Sequence, residues 1–471
     1  MENYDLIVIG AGSGLNIVST AVELGKKTAI IEEGSMGGTC LNRGCIPSKM
    51  IIHSADIANT IRNSWKFGVY SQINKIDLKK VTERASKAVD SEAKEIENWY
   101  TKQRNPKFYK GTARFTGYKT LEINGFKIKG KKIVIASGAR PSIPLIEGID
   151  KVPYITSKEA LRLTKIPKSM IIIGGGYIGA ELGYFYAEMG CKITILQRND
   201  LLIPNEDEEV AELFTKLWKR KHNSVNVTVL TSSNAVKVEV NGGKVVVYAE
   251  NAETKRAAKK GDARNLVTKK KLVTRKIEAD KLLIASGLTP NTDILNVKAT
   301  GVKINKKGYV EVDKYLETNV KGIYAFGDVV GKYMFKHSAN MESEYVMNNL
   351  YHRKRIVDYT AMPHAIFTNP QIAGVGLTEQ EARKKNKNYA IAKYKYADTG
   401  MGLALDEKDG FVKYIIDKKT RKILGCHIIG PQASAIIHEV VVVMKNNGNI
   451  NMISDSVHIH PSLSEVLQRA L

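Results

Sequence analysis

Two hydrophobic periods alternate along this chain. Short runs of β-branched residues end in glycine-rich turns, and apolar positions at helical spacing follow them. Tyr4–Ile9 is one such run, with a helical pattern after it to Leu24 and a second run at Thr28–Ile31 ending on Glu32. The same order recurs at Met170–Ile173, a helix to Met189, and Lys192–Leu196. Residues 50–104 are predicted to be helical throughout, and short strands begin at Gly111–Phe115. Lys132–Ala136 is a buried strand that leaves through Ser137-Gly138-Ala139-Arg140-Pro141. Leu282–Ala285 leaves through Ser286-Gly287-Leu288-Thr289-Pro290, and Gly322–Asp328 is a strand ending on an acid. Past about Leu350 the runs alternate, at Tyr389–Tyr396, Gly410–Ile416 and Ile423–Ile429, before an apolar helix at Ala433–Lys445. That last region predicts an antiparallel α+β domain.

The turns make the two repeated units specific. Gly10-Ala11-Gly12-Ser13-Gly14 follows the first strand, and Gly174-Gly175-Gly176-Tyr177-Ile178-Gly179 follows its counterpart. Glycines there let a pyrophosphate approach a helix N-terminus, and an acid at the end of the next strand binds ribose hydroxyls. Glu32 is that acid in the first unit. Leu15 stands where the motif has its last glycine, so the first helix is expected to sit a little further from its strand. In the second unit Gln197 and Arg198 replace the acid. A carboxylate repels a 2′-phosphate and an arginine pairs with it, which points to NADP in preference to NAD. The alternative is an exposed Arg198 beside a cofactor held by backbone. The chain thus reads as an α/β protein with two Rossmann-like dinucleotide-binding domains, the second inserted in the first. The expected boundaries are 1–150, 151–281, 282–348 and 349–471.

Composition narrows the class. A chain of 471 residues is too long for one core. Its four cysteines, Cys40, Cys45, Cys191 and Cys426, are too few for a disulfide-stapled secreted protein. A cytoplasmic location is expected, with Cys191 and Cys426 as packed small residues. The strand at the N-terminus argues against a secretory leader. No apolar run reaches a membrane span. The net charge of +24 allows a polyanion partner or basicity spread over solvated faces. Ten Lys or Arg lie between Lys255 and Lys276, within a stretch at 251–276 read as a hairpin or surface loop. It is a solvated loop or a docking surface for an acidic partner. No aromatics interleave its charges, so nucleic-acid binding is not expected.

The chemistry centres on Gly37-Gly38-Thr39-Cys40-Leu41-Asn42-Arg43-Gly44-Cys45-Ile46-Pro47-Ser48-Lys49. No second Cys pair exists to close a zinc site, so a reducible disulfide is the expected state of Cys40 and Cys45. Gly44 supplies the distortion needed to close it, and Pro47 suits the first turn of a following helix. A dithiol exchanges hydride poorly with nicotinamide, and a flavin between them solves this. Two dinucleotide units then hold two dinucleotides. Thiol exchange needs a base, and among nine histidines His460 is chosen, with Glu465 nearby to orient its ring.

With these motifs in this order, the chain resembles the class I pyridine nucleotide–disulfide oxidoreductases over essentially its whole length. The resemblance implies a C-terminal dimerisation domain and a homodimer sharing its active sites. Cys40 is then the interchange thiol that attacks substrate, and Cys45 the charge-transfer thiol beside the flavin. Lys49, paired with Glu181, lies near flavin N5. FAD is implied at Gly10, Gly12, Gly14, Glu32, Gly38, Thr39, Lys49, Ala113, Gly138, Asp328 and Ala339. NADP or NAD is implied at Gly174, Gly176, Tyr177, Gly179, Gln197, Arg198 and Gly287, with Tyr177 gating the nicotinamide pocket. His460 and Glu465 are implied to act from the other subunit.

The substrate divides the resemblance. The thiol stretch and His458-Ile459-His460-Pro461 are most similar to dihydrolipoamide dehydrogenases, which is the leading expectation. Gln197-Arg198, Leu15 and the segment Lys336-His337-Ser338-Ala339-Asn340 are closer to NADPH-linked reductases of small disulfides, including mycothiol-type enzymes. Mercuric reductase is disfavoured because no Cys pair precedes Leu471. A redox-silent flavoprotein acting as a binding module is the remote alternative.

Overall fold

The computed structural model describes residues 1–220, 226–258 and 266–471, with backbone alone at 252–258 and 266–272. It divides into two compact units. The first comprises Met1–Ile51, Lys80–Ser142 and Leu288–Tyr359, and the second Ile52–Lys79, Ile143–Gly287 and Thr360–Leu471.

The first unit is built on a seven-stranded sheet. Glu2–Ile9 lies between Thr28–Glu32 and Phe126–Ile135, parallel to both, and Ile323–Ala325 pairs in parallel with Phe126–Ile135. The run Leu6–Ile9 is continuous because both of its faces are covered. Leu6 and Val8 pack with Ile17 and Val18 of the helix Gly14–Glu23. Ile7 and Ile9 pack on the other side with Ile133, Ile135 and Ile323. Burying each such side chain is worth about 1.5–3 kcal/mol, so the glycine turn sits on a rigid base.

The second unit repeats the plan. Ser169–Ile173 lies between Lys192–Leu196 and Lys281–Ile284 in a five-stranded parallel sheet, and the helix Tyr177–Glu188 follows the glycines. The chain makes this fold between Lys80–Ser142 and Leu288–Tyr359 of the first unit, as the sequence pattern predicts. A second five-stranded sheet, all antiparallel, runs Pro363–Ile366, Gln371–Gly376, Ile423–Gly430, Phe411–Asp417 and Tyr389–Lys395. One face carries Val375, Val412, Tyr414 and Ile428 against Ile437 and Val440 of the helix Ala433–Lys445. The architecture is mixed α/β, with two dinucleotide-binding domains and a C-terminal α+β domain. Cys191 and Cys426 are buried small residues, as expected, and burial pushes both thiols up.

Two expectations change. The predicted helix over 50–104 is two helices, Cys45–Asn63 and Leu78–Lys102. A 3-10 turn at Ser64–Phe67 ends on Gly68 at φ 75°, a left-handed conformation that stops a helix. Leu15 does not hold the first helix off its strand. The close approach moves to Gly14, where a Cβ would lie 2.9 Å from Val8 Cγ1. The basic stretch at 251–276 lies largely on an antiparallel strand pair, Lys244–Ala258 with Leu266–Ala279, which is the hairpin of the two expected forms. Residues 259–265, and the side chains of most of the cations that would meet an acidic partner, lie outside the described residues.

Candidate functional site

The two thiols are brought together by a break between helices. Gly38–Arg43 ends at Gly44, and Cys45–Asn63 begins immediately after it. A Cβ on Gly44 would stand 2.9 Å from the Thr39 carbonyl oxygen and 3.3 Å from Cys40 Cα, so only glycine lets the chain fold back this closely. Both cysteines are free thiols, Cys40 half-buried and Cys45 exposed. The Cys45 thiol beside it is the main influence pushing Cys40 up, followed by burial, while the Lys336 ammonium pulls it down. Lys336 also donates to Ser13 Oγ at 3.0 Å. Lys336 lies in the segment Lys336–Asn340 that departs from the dihydrolipoamide dehydrogenase pattern, and its role as a cation near Cys40 is not legible in the sequence. Its only signal is a lysine opening the helix Lys336–Tyr351.

The glycine turn next to this pair has the form of a nucleotide cradle. Gly10 has φ 102° and Gly38 φ 66°. A Cβ on Gly38 would come 2.6 Å from Gly12 Cα. Glu32 takes Ala11 N–H on Oε2 at 2.8 Å and Gly34 N–H on Oε1 at 2.7 Å, which fixes its carboxylate at the mouth of the turn. Two polar groups fit a bound FAD. Ser137 Oγ is buried without a partner, and no hydrogen bond from the described residues lowers the Asp328 carboxyl. Burial, with Glu342 beside it, pushes Asp328 up to about 6. A ribityl hydroxyl would relieve that cost. Ala113 is buried, Thr39 is exposed, Gly138 has φ 64°, and Ala339 packs over Gly327. We expect Gly38→Ala to lower flavin content per purified chain at least about tenfold, since a side chain at this φ costs about 1–2 kcal/mol before the clash. Flavin absorbance at wild-type stoichiometry would refute the cradle.

In the second unit Gly174 has φ 110°, Gly287 φ 114°, and Gly179 packs against Gly174. Gln197 is buried, and its Oε1 accepts Gly175 N–H at 3.1 Å. That is the bond Glu32 makes in the first unit, carried by a neutral amide. Gln197 Nε2 donates to Leu201 O at 3.2 Å, and Arg198 is exposed. Gly176 leaves open space where a Cβ would project. Tyr177 donates its hydroxyl to Glu206 Oε1 and stacks on His364 with ring centroids 6.2 Å apart. Burial, then the Glu206 charge, pushes the Tyr177 phenol up. Glu181 accepts Phe367 N–H at 3.0 Å. Lys49 lies in the first unit and is half-buried.

His460 and Glu465 form a pair near the C-terminus. His460 Nδ1 is 3.0 Å from Glu465 Oε1, and the imidazole side chain is 69% exposed. Glu465 is buried and also accepts Ser462 N–H at 2.9 Å and Arg469 at 3.2 Å. The His460 bond, then the Ser462 amide, holds the Glu465 carboxyl down at about 2. The carboxylate therefore fixes one ring nitrogen of an exposed imidazole. His458 is anchored separately, with Nε2 at 2.9 Å from Glu439.

Comparison with known proteins agrees with this arrangement. The family model described as pyridine nucleotide-disulphide oxidoreductase matches residues 4–343, and its dimerisation domain matches residues 362–471. Mycothione reductase of Mycobacterium tuberculosis is 32% identical, covering 100% of this chain and 99% of its own. Dihydrolipoyl dehydrogenase of Geobacillus stearothermophilus is 33% identical, covering 99% and 95%. The Cu(II) complex of the HOCl-induced flavoprotein disulfide reductase RclA from Escherichia coli superimposes with a TM-score of 0.84 at 27% identity, covering 100% and 99%. By thiol motif, paired nucleotide folds and full-length similarity, this chain belongs to the pyridine nucleotide-disulphide oxidoreductase family, whose members use FAD and a pyridine nucleotide to act on a disulfide.

Proposed function

We propose that this protein is an NADPH-driven reductase of a low-molecular-weight disulfide, working as a homodimer. The observation that carries this reading is Gln197. It keeps the amide contact that positions the glycine turn, yet removes the carboxylate that would repel a 2′-phosphate. Arg198 follows it, exposed and able to pair with that phosphate. Bound FAD would supply two-electron exchange between nicotinamide and the thiols. Gly10, Gly12, Gly38, Glu32, Ser137 and Asp328 would hold it. Lys49 would place a cation near its ring, and Cys45 would be the thiol beside it. Cys40 attacks the substrate disulfide as thiolate, with Lys336 stabilising that charge. His460, oriented by Glu465, holds the proton that the released thiol takes up. The pair acts from the partner subunit, so a stable monomer has no base at its thiols.

A second reading, dihydrolipoamide dehydrogenase, is supported by the sequence around Cys40 and His460 and by the 33% identity to the Geobacillus stearothermophilus enzyme. One assay separates the two. The FAD-loaded dimer is offered NADH or NADPH with lipoamide, glutathione disulfide and mycothione. NADPH with a small disulfide is expected to give the highest kcat/KM. Arg198→Glu should shift preference towards NADH by about ten- to a hundredfold, the worth of one charge-assisted hydrogen bond. Faster turnover of lipoamide with NADH than with NADPH would select the second reading. No turnover of any disulfide with FAD bound would leave a binding module.

A further inference from the structure

The face of the antiparallel sheet opposite the helix Ala433–Lys445 carries a polar row. His364 pairs with Gly374, and Gly374 pairs with His427, so the three lie side by side on adjacent strands. Gly374 has no side chain, and the two imidazoles converge over it. A Cβ there would lie 2.8 Å from both His364 Nε2 and His427 Nδ1. Glu206 completes the group, with Oε2 2.8 Å from His364 Nε2. One ligand atom from each of Glu206, His364 and His427 lies within 4.8 Å of the other two.

The histidine chemistry favours an ion. His427 is fully buried, and its Nε2 lies 2.9 Å from the Leu377 carbonyl oxygen. A carbonyl only accepts, so Nε2 carries the hydrogen. In the neutral ring this leaves a lone pair on Nδ1, and Nδ1 has no hydrogen-bond partner. A buried acceptor with nothing to accept is costly. A backbone carbonyl holding the other ring nitrogen is the usual outer support of a metal-binding histidine. Tyr177, on the far oxygen of Glu206, orients the carboxylate in the same way.

We propose that Glu206, His364 and His427 bind a divalent transition-metal cation such as Zn²⁺, with a fourth coordination position left open. Two imidazoles and one carboxylate are a zinc-type donor set, and tetrahedral ligands at about 2.0–2.1 Å from the ion stand about 3.3 Å from each other. Binding requires that the proton between His364 and Glu206 leave and that the three ligand atoms, now within 4.8 Å of one another, close to about 3.3 Å. The site joins the nucleotide-binding fold to the C-terminal sheet inside one compact unit. It involves neither thiol.

Zinc binding to FAD-loaded, chelator-treated protein tests this, using a Cys40→Ser, Cys45→Ser background so that the thiols cannot act as ligands. Competition against a chromophoric chelator should show one Zn²⁺ per chain with a dissociation constant below about 1 µM. His427→Ala should weaken it at least a hundredfold. Gly374→Ala, which keeps all three ligands but fills the space between them, should do the same. Flavin content and circular dichroism report whether each variant folds. Cu²⁺ bound to the unsubstituted site should show nitrogen splittings from two imidazoles by electron paramagnetic resonance, a result that needs no folded variant. No tight Zn²⁺, undiminished binding in either folded variant, or a Cu²⁺ signal without nitrogen coupling overturns the proposal.

Discussion

Lys413→Met is expected to destabilise the protein by about 3–5 kcal/mol, the range for removing one partner from a buried ion cluster. Lys413 is 1% exposed and contacts three carboxylates: Asp207 at 2.9 Å, Glu209 at 3.0 Å and Glu379 at 2.6 Å. The register explains how a lysine comes to be buried. Lys413 pairs with His427, so it continues the polar row of His364, Gly374 and His427 across a fourth strand. The acidic run Glu206–Glu209 covers that row within the same unit. Methionine keeps the length of the side chain but leaves three carboxylates facing one another. The pH dependence follows from their shifts. Against the opposing effect of burial, hydrogen bonds and the Lys413 charge hold Asp207 and Glu209 below the ordinary carboxylate range, and the Lys413 bond leads in lowering Glu379. Their stabilisation in the parent is complete above that range and is lost as pH falls through the lowered values. In the variant the carboxylates repel instead and gain from protonation. The deficit should therefore be largest near pH 7 and shrink towards pH 4. Urea unfolding at several pH values measures it. A loss below about 1 kcal/mol at pH 7 would show that the cluster is surface-like in its energetics.

This cluster also shows where sequence reading stops. Strands bounded by glycine and proline are local, and so Lys192–Leu196 and the helix Ala433–Lys445 match their expected ends. The glycine turns and the thiol stretch are contiguous motifs and could be read directly. Gln197 was legible as a missing charge but not as a retained hydrogen bond, because its partner is an amide 22 residues away. The helix break after Asn63 depended on one left-handed glycine inside a pattern otherwise suited to helix. The polar row was out of reach for a different reason. His364, Gly374, His427 and Lys413 meet only through the pairing of four strands. A shift of one residue in any pair would turn that residue to the other face. Strand order here is not sequential, since Gln371–Gly376 pairs with Ile423–Gly430, so no sequence spacing encodes the contact.

His460→Ala is expected to lower kcat/KM for disulfide turnover by about 10²–10⁴, the usual contribution of a positioned general acid–base. FAD content should be unchanged, because the residue is exposed and none of the residues expected to hold FAD lies in its segment. Glu465→Gln isolates the orienting role. The glutamine keeps the side-chain length but gives up the charge held against His460 at 3.0 Å, and it disturbs the Ser462 and Arg469 contacts less than alanine would. Its cost should be about tenfold, smaller than that of His460→Ala, because the imidazole remains. The parent carboxyl lies at about 2, so it is ionised throughout the assay range. Its contribution to stability has the same sign: complete above the ordinary carboxylate range, and lost progressively as pH falls from there through about 2. The double variant distinguishes acting through the histidine from acting alone. If Glu465 serves only to position His460, the double variant loses no more than His460→Ala, as expected for residues that work as a unit. An additional tenfold loss in the double variant would mean that Glu465 contributes to turnover by a route of its own. Full activity in His460→Ala would move the base elsewhere on the chain.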